Sequence, residues 1–436
     1  MNAHAKKIKS ANIITLGCSK NLVDSEVMMR QLAASGIETQ HDDNAPADLV
    51  IINTCGFIND AREESVNTIL EWANERKEGK IGKLFVMGCL SQRYRDELIK
   101  EMPEVDGFFG VNDLNAILSN LNSPLRTELL GERVLTTPSH YAYLKISEGC
   151  NRRCSFCAIP SIRGKNVSKP VEELVAEARF LARQGVKELI LIAQDLTNYG
   201  IDLNKKRQLP DLVKELSNIE EIRWIRLHYA YPSGFPLRIL DIINNNPKVC
   251  RYLDIPLQHI NDRILKSMRR GLNGQQTRAL VKTIRERVPG IAIRTSFITG
   301  YPGETTAEFN ELRDFIVESR FERMGVFTYS HEENTPASKL TDSVRPAQKA
   351  KRASQLMEIQ QQIAVEANET WHGQVMKVII DRKEDKLWVG RTEFDSPEVD
   401  NEVLITDASN SLKSGDFVDV RITGTAFYDL EATFPA

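Results

Sequence analysis

The sequence contains no run approaching the roughly 18 consecutive apolar residues that a membrane helix needs, and its charged start MNAHAKKIKS leads into no apolar region of signal-peptide type. A soluble protein that stays in the cytoplasm is the expectation. Low-complexity tracts are absent too, and the only repeats are alternating strand-like and helix-like stretches. Cysteine is scarce and odd in number, seven in 436 residues, which fits a reducing compartment and argues against a disulfide framework. Three of the seven stand close together in GCNRRCSFC, with no fourth cysteine and no histidine at zinc-ligand spacing nearby.

That gap defines the chemistry. Structural zinc takes four ligands and an iron-sulfur cube is normally held by four thiolates, so Cys150, Cys154 and Cys157 leave one metal corner open. An open corner can bind a small molecule. Bacterial ferredoxin spacing fails as well, because Ala158, Ile159 and Pro160 follow where a fourth cysteine would stand.

A second trio is spread along the chain. Cys18 follows the apolar run Ile13–Leu16, Cys55 follows Leu49–Ile52, and Cys89 follows Leu84–Met87. Each run reads as a strand, and the stretch after each reads as a helix, as in Glu63–Trp72, where Val66, Ile69 and Leu70 recur at helical spacing. Repeated strand-helix units make a parallel sheet whose ligand sites lie at the carboxyl ends of the strands. The three cysteines are therefore expected to converge there, as ligands of a second cluster with open coordination. Cys250, at the start of an apolar run, is expected in the core.

At 436 residues with 41% hydrophobic content, the chain should form about two to four domains. Residues 8–125 read as the first, a parallel α/β domain. Residues 136–370 read as the second: strand-like runs at Tyr143–Ile146, Glu188–Ala193, Trp224–Leu227, Tyr252–Leu257, Ile291–Ile298 and Gly325–Tyr329, with helical stretches between, suit an open (β/α)6 partial barrel. Polar residues gather at the predicted strand ends: Gln194 and Asp195, His228, Gln258 and His259, Thr299, Tyr329 and Ser330. Together these could line a cofactor cavity. The loop Gly300-Tyr301-Pro302-Gly303-Glu304-Thr305 reads either as a close backbone approach to a ligand or as a plain Pro-Gly turn, with Thr305 or Thr306 capping the next helix.

Residues 373–436 switch to short strands, expected to form a small antiparallel β-barrel joined to the centre by the helical stretch Ala347–Thr370. Barrels of this type often bind RNA, yet this one carries seven Lys and Arg against thirteen Asp and Glu, a formal net charge of −6. Such a surface repels a phosphate backbone and attracts a basic protein, or simply keeps the domain soluble.

The motifs LGCSKN, INTCGF, MGCLSQR, GCNRRCSFCAIPSIRG and GYPGET, followed by the small barrel, together resemble the radical S-adenosylmethionine methylthiotransferase family over nearly the whole chain. CAIPSIRG, IAQDLTNYG and GRTEFDSPEVDN point to the branch that modifies an aspartate of protein twelve of the small ribosomal subunit. The resemblance implies two four-iron four-sulfur clusters, one on Cys150, Cys154 and Cys157 that binds S-adenosylmethionine, and an auxiliary one on Cys18, Cys55 and Cys89. It further implies that Phe156 flanks the adenine, that the small barrel is a TRAM-like domain, and that reduced flavodoxin or ferredoxin supplies the electron; Gln194, Asp195, Gly300, Pro302 and Gly303 are expected to contribute to cofactor binding by their position at the strand ends alone. The same chemistry on a transfer-RNA adenosine, and an electron-transfer or cluster-carrier protein without a substrate, are the alternatives. The first would call for a basic last domain and the second leaves the large barrel unexplained.

Overall fold

The computed structural model describes residues 8–45, 47–406 and 412–435. Residues 1–7, most of the charged segment MNAHAKKIKS, and Asp407 of the acidic count lie outside the described residues. The chain divides into two compact units, the first running to Thr136 and including Glu148–Arg152 and Cys157–Val167, the second holding Thr137–Ser147, Arg153–Phe156 and everything from Ser168 on.

In the first unit, strands β1 (Ser10–Thr15), β2 (Glu38–His41), β3 (Leu49–Thr54), β4 (Lys83–Gly88) and β5 (Gly107–Phe108) form one parallel sheet in the order 2-1-3-4-5. Helices α1 (Ser19–Ala34), α2 (Asn59–Lys77) and α3 (Cys89–Glu101) cross between them. Leu49, Val50, Ile51 and Ile52 are all fully buried, as a strand covered on both faces requires. Side chains alternate between the faces: Ile51 packs with Met28 and Leu32 of α1, whereas Val50 and Ile52 pack with Ile69 of α2 and Leu98 of α3. Each such burial is worth roughly 1.5–3 kcal/mol, enough to offset the ordering of the residue itself. A short helix, α4 (Ile159–Ile162), belongs to this unit and packs against α3.

The second unit contains six parallel strands in simple sequence order: β6 (Tyr141–Lys145), β7 (Glu188–Ile192), β8 (Trp224–Leu227), β9 (Val249–Asp254), β10 (Ala292–Thr299) and β11 (Arg323–Thr328). The end strands β6 and β11 do not pair with each other, so the expected open (β/α)6 arrangement is what forms. Its helices are amphipathic; α5 (Val171–Arg183) buries Leu174, Ala178, Leu181 and Ala182. The fourth strand starts and ends three residues before its expected position; Pro256, with no N–H to give a ladder, stops it short of Leu257. Helix α6 (Pro346–Glu369), the expected connector, packs along β11.

The C-terminal strands β12 (Val375–Glu384), β13 (Leu387–Thr392), β14 (Val403–Ile405), β15 (Phe417–Ala426) and β16 (Asp429–Thr433) close into a barrel in the order 12-13-14-16-15. Four neighbouring pairs are antiparallel as expected, and β14–β16 is parallel. Strand direction cannot alternate all the way round a ring of five, so one parallel pair is unavoidable. The barrel packs on the central sheet through Ile379, Phe394 and Phe417 against Trp224, Cys250, Tyr252 and Ala292, which puts Cys250 in the core as expected.

Candidate functional site: two cysteine triads

β1, β3 and β4 lie side by side, and just beyond their carboxyl ends stand Cys18, Cys55 and Cys89. In a sheet of order 2-1-3-4-5, successive connections leave in opposite directions between the first and third strands, and ligands bind in the crevice this opens. Cys18 and Cys55 flank that crevice. Neutral side chains hold the turns: Asn21 Nδ2 donates to Leu16 O (2.8 Å) and Thr54 O (3.2 Å), and Asn53 Nδ2 donates to Asn21 O (2.9 Å) and Ser25 Oγ (3.0 Å). Ser65 Oγ of α2 accepts the Cys55 N–H at 3.1 Å and donates to Cys55 O at 2.8 Å.

Two glycines let these turns approach. Gly17 has φ +91°, and a Cβ there would stand 2.6 Å from Cys55 Cβ; a Cβ on Gly56 would meet Leu90 Cα at 2.6 Å. Cys18 precedes the first residue of α1 and Cys89 opens α3, so two helix amino termini, with their partial positive charge, carry thiols.

Burial pushes the Cys55 thiol up to about 11, against a backbone hydrogen bond from Phe57 and with Cys18 and Cys89 adding to the rise. Burial also raises Cys89, and the Arg163 guanidinium, within hydrogen-bonding reach of it, pulls the other way. Arg163 follows α4 and is fixed by Asp24 (3.2 Å), Glu148 (3.0 Å) and Asn21 (2.5 Å). Among the described residues, no three His, Cys, Asp or Glu side chains, those of the sheet triad included, are gathered around one metal-ion position. The triad's donor set of three thiols on adjacent turns, beside a buried cation, fits an anionic multi-iron cluster that takes up thiolates and releases their protons.

In the loop GCNRRCSFC, Cys150 and Cys157 belong to the first unit and Cys154 to the second. The Cys150 amide donates to Gly164 O at 3.0 Å, and its Sγ accepts the Arg152 N–H at 3.3 Å. In the second unit, Cys154 Sγ accepts from Arg270 Nη1 at 3.3 Å and lies 3.4 Å from Tyr231 Oη; the Arg270 guanidinium sits 4.2 Å from the centre of the Tyr231 ring. A charged donor of this kind suits a sulfur that carries negative charge. Ser155 Oγ is 2.9 Å from Tyr301 Oη, and Phe156 packs on a cluster containing Met268, Ile298, Tyr301 and Tyr329.

The other expected residues fall at strand ends of the second unit. Gln194 is half-buried just past β7, and Asp195 Oδ1 accepts from Thr197 N (2.9 Å) and Oγ1 (2.5 Å), capping the turn Leu196–Asn198. Gly300 donates its amide to Glu304 Oε2 at 2.8 Å; Glu304 Oε1 lies 3.1 Å from His259 Nε2, and Arg352 completes the cluster. Pro302 is buried, and Gly303 O accepts from Arg263 Nη2 at 2.7 Å. Thr305 caps the helix Thr306–Ser319 with a full capping box. His228, just past β8, bonds Ser396 Oγ of the C-terminal region at 2.8 Å. Arg163, Arg270, Tyr231 and the role of Glu304 escaped sequence reasoning. Arg163 stands inside CAIPSIRG, whereas Arg270 and Tyr231 carry no local signal in the sequence.

Three family models match: the uncharacterized protein family UPF0004 over residues 10–110, the radical SAM superfamily over 144–316 and the TRAM domain over 373–434. Among solved structures, the radical S-adenosylmethionine methyltransferase TsrM from Kitasatospora setae matches with a TM-score of 0.54 at 15% identity, over 76% of this chain and 77% of that one, a likeness of fold alone. The ribosomal protein uS12 methylthiotransferase RimO of Flavobacterium psychrophilum is 55% identical over 430 residues, 99% of both chains. The protein of the same name from Bacteroides thetaiotaomicron is 51% identical over 98% of both. Similarity of this extent, along all three motif regions, places the chain in the ribosomal protein uS12 methylthiotransferase family.

Proposed function

We propose that the chain transfers a methylthio group to the β-carbon of an aspartate in ribosomal protein uS12, using two four-iron four-sulfur clusters held by its six clustered cysteines. The observation that carries this is the 55% identity to a uS12 methylthiotransferase over 99% of the chain. When bound, the clusters and S-adenosylmethionine supply the electron, the hydrogen-abstracting radical and the sulfur.

The chain's residues hold and shield that chemistry. Cys150, Cys154 and Cys157 ligate the cluster that binds S-adenosylmethionine, with Arg270 and Tyr231 fixing Cys154. Cys18, Cys55 and Cys89 ligate the auxiliary cluster, with Arg163 beside Cys89. Phe156, Gln194, Asp195, Gly300, Pro302 and Gly303 line the cofactor side of the barrel, where Glu304 keeps Gly300 in place. The working parts are residues 8–125, 136–370 and 373–436, the electron comes from reduced flavodoxin or ferredoxin, and the setting is the cytoplasm. Among the described residues no helix is long and apolar enough to cross a membrane.

The test is anaerobic: reconstituted protein, reductant and S-adenosylmethionine, offered small ribosomal subunits or isolated uS12 in one tube and transfer RNA in another, followed by mass spectrometry of both. A methylthio increment on a uS12 aspartate is the expected result. An increment on a transfer-RNA adenosine instead would overturn the substrate assignment, and intact S-adenosylmethionine in both tubes would overturn the chemistry.

A further inference from the structure

Within the second unit, the stretch from Arg391 to Asp400, at and beyond the end of β13, makes a polar contact with every strand of the central sheet. Glu188 of β7 pairs with Arg391 at 2.8 Å, and Arg226 of β8 donates to Glu393 O at 2.7 Å and Thr392 O at 3.3 Å. Tyr252 of β9 donates to Asp400 Oδ2 at 2.7 Å, and Arg294 of β10 bonds Asp400 Oδ1 at 3.2 Å. Arg323 of β11 bonds Asp395 Oδ1 at 2.7 Å. Tyr141 and Tyr143 of β6 donate to the two carboxylate oxygens of Glu398 at 3.0 and 3.1 Å.

The distribution of these contacts is informative. β6 and β11 are the two end strands, each paired on one side only, and the two carboxylates that hold them, Glu398 and Asp395, stand three residues apart. The stretch thus spans the seam that strand pairing leaves open. Tyr141, Glu188 and Arg323 are the first residues of their strands and hold the amino-terminal rim, while Arg226, Tyr252 and Arg294 lie further along theirs and His228, just past β8, bonds Ser396, so the stretch reaches from that rim into the barrel. Asp395 is 1% exposed and the Asp400 side chain 2%. Burying carboxylates is unfavourable unless each is bonded, and these two are, whereas Glu398 is exposed and is held by the two tyrosine hydroxyls. Acids serving only solubility would stay in water.

We propose that Arg391–Asp400 is a clasp that ties the two free edges of the barrel together, with Asp395 and Glu398 as positioning residues that set the seam width and keep solvent out of the amino-terminal mouth. The C-terminal domain is thereby part of the reaction chamber's wall. Only the second readout below rests on the function proposed above; the first needs neither cluster nor substrate.

The test compares the full-length chain with Asp395→Asn/Glu398→Gln. Amide hydrogen exchange in Tyr141–Lys145 and Arg323–Thr328 is expected to speed up at least tenfold, with β12 and β15 of the small barrel unchanged. Tyr141→Phe/Tyr143→Phe should loosen β6 and leave β11 as it was, and Asp419→Asn, on the outer face of the small barrel beside Lys377, should change neither. In the reconstituted enzyme, deoxyadenosine released per methylthio group transferred should rise about threefold, because a less shielded radical takes hydrogen from solutes instead of substrate. Unchanged exchange in both edge strands would overturn the clasp. So would a uniform rise across the unit, which would make the two carboxylates general stabilisers.

Discussion

The two cysteine triads reach a similar donor set by opposite routes. The sheet triad is assembled by topology: residues 18, 55 and 89 meet because three parallel strands end together beside a change of winding direction. The loop triad is assembled by sequence, within eight consecutive residues. What surrounds them differs accordingly. The turns of the sheet triad are held mainly by neutral Asn and Ser hydrogen bonds and by glycine's freedom, whereas the barrel that carries Cys154 is fixed by charged groups: Arg270, Glu304 with Arg352, and Arg263 with Glu308. A site built by topology needs exact turn geometry, and a site built by a short loop needs its surroundings pinned.

The sharpest way to break this comparison is to remove one cysteine from each side. Cys154→Ala should reduce S-adenosylmethionine cleavage to background, whereas Cys55→Ala should leave cleavage near normal and reduce methylthio transfer to background, both followed by chromatography of deoxyadenosine and mass spectrometry of uS12. Normal transfer by Cys55→Ala would remove the auxiliary role. Next in size is the charged scaffold of the second unit. Burial alone would raise the Glu188 carboxyl, yet Arg391 and Arg226 hold it below its ordinary value; Glu188→Gln leaves two buried guanidiniums short of a counter-charge and should destabilise the chain by about 3–5 kcal/mol in urea unfolding.

On the sheet side, Gly17→Ala puts a Cβ into a left-handed conformation against Cys55. It should destabilise by about 1–2 kcal/mol from backbone strain alone and lower the iron bound at the sheet site in a variant lacking the loop cysteines. Iron content unchanged by this substitution would mean that the turn geometry matters less than the comparison holds. The smallest effect concerns pH. Arg263 beside Glu308 holds its carboxyl at about 2, below its ordinary 4.5. A depressed carboxyl stabilises fully above pH 4.5 and loses that contribution as pH falls toward 2. The stability gap between the parent chain and Glu308→Gln in the metal-free protein, under about 1 kcal/mol for so exposed a partner, should therefore be present at pH 7 and narrower at pH 3.

The sequence discloses both triads because three thiols can be brought together either by a short spacing or at neighbouring strand ends, and each leaves a local trace. β3 is readable from Leu49–Ile52, whose unbroken apolar run follows from burial on both faces. β2, with the sequence Glu-Thr-Gln-His at the sheet's edge, has no apolar alternation and so gives no warning. Arg270 meets Cys154 across 116 residues, a contact that only the folded barrel creates. The acidic excess of the C-terminal domain is the instructive case. Counting charges treats every carboxylate as solvated, but Asp381 pairs with Arg391, Asp395 with Arg323 and Asp400 with Arg294, all inside the second unit. Composition reports how many charges a domain has and cannot report which way they point.

The contacts from Arg391 to Asp400 also bear on modularity. A chimera that took its C-terminal barrel from a distant relative would inherit one half of a lock, with Tyr141, Tyr143, Glu188, Arg226, Tyr252, Arg294 and Arg323 left as keyholes for a different key. The exchangeable unit, for evolution or for an engineer, is the barrel together with those seven side chains, and the linker before residue 373 is not the place to cut.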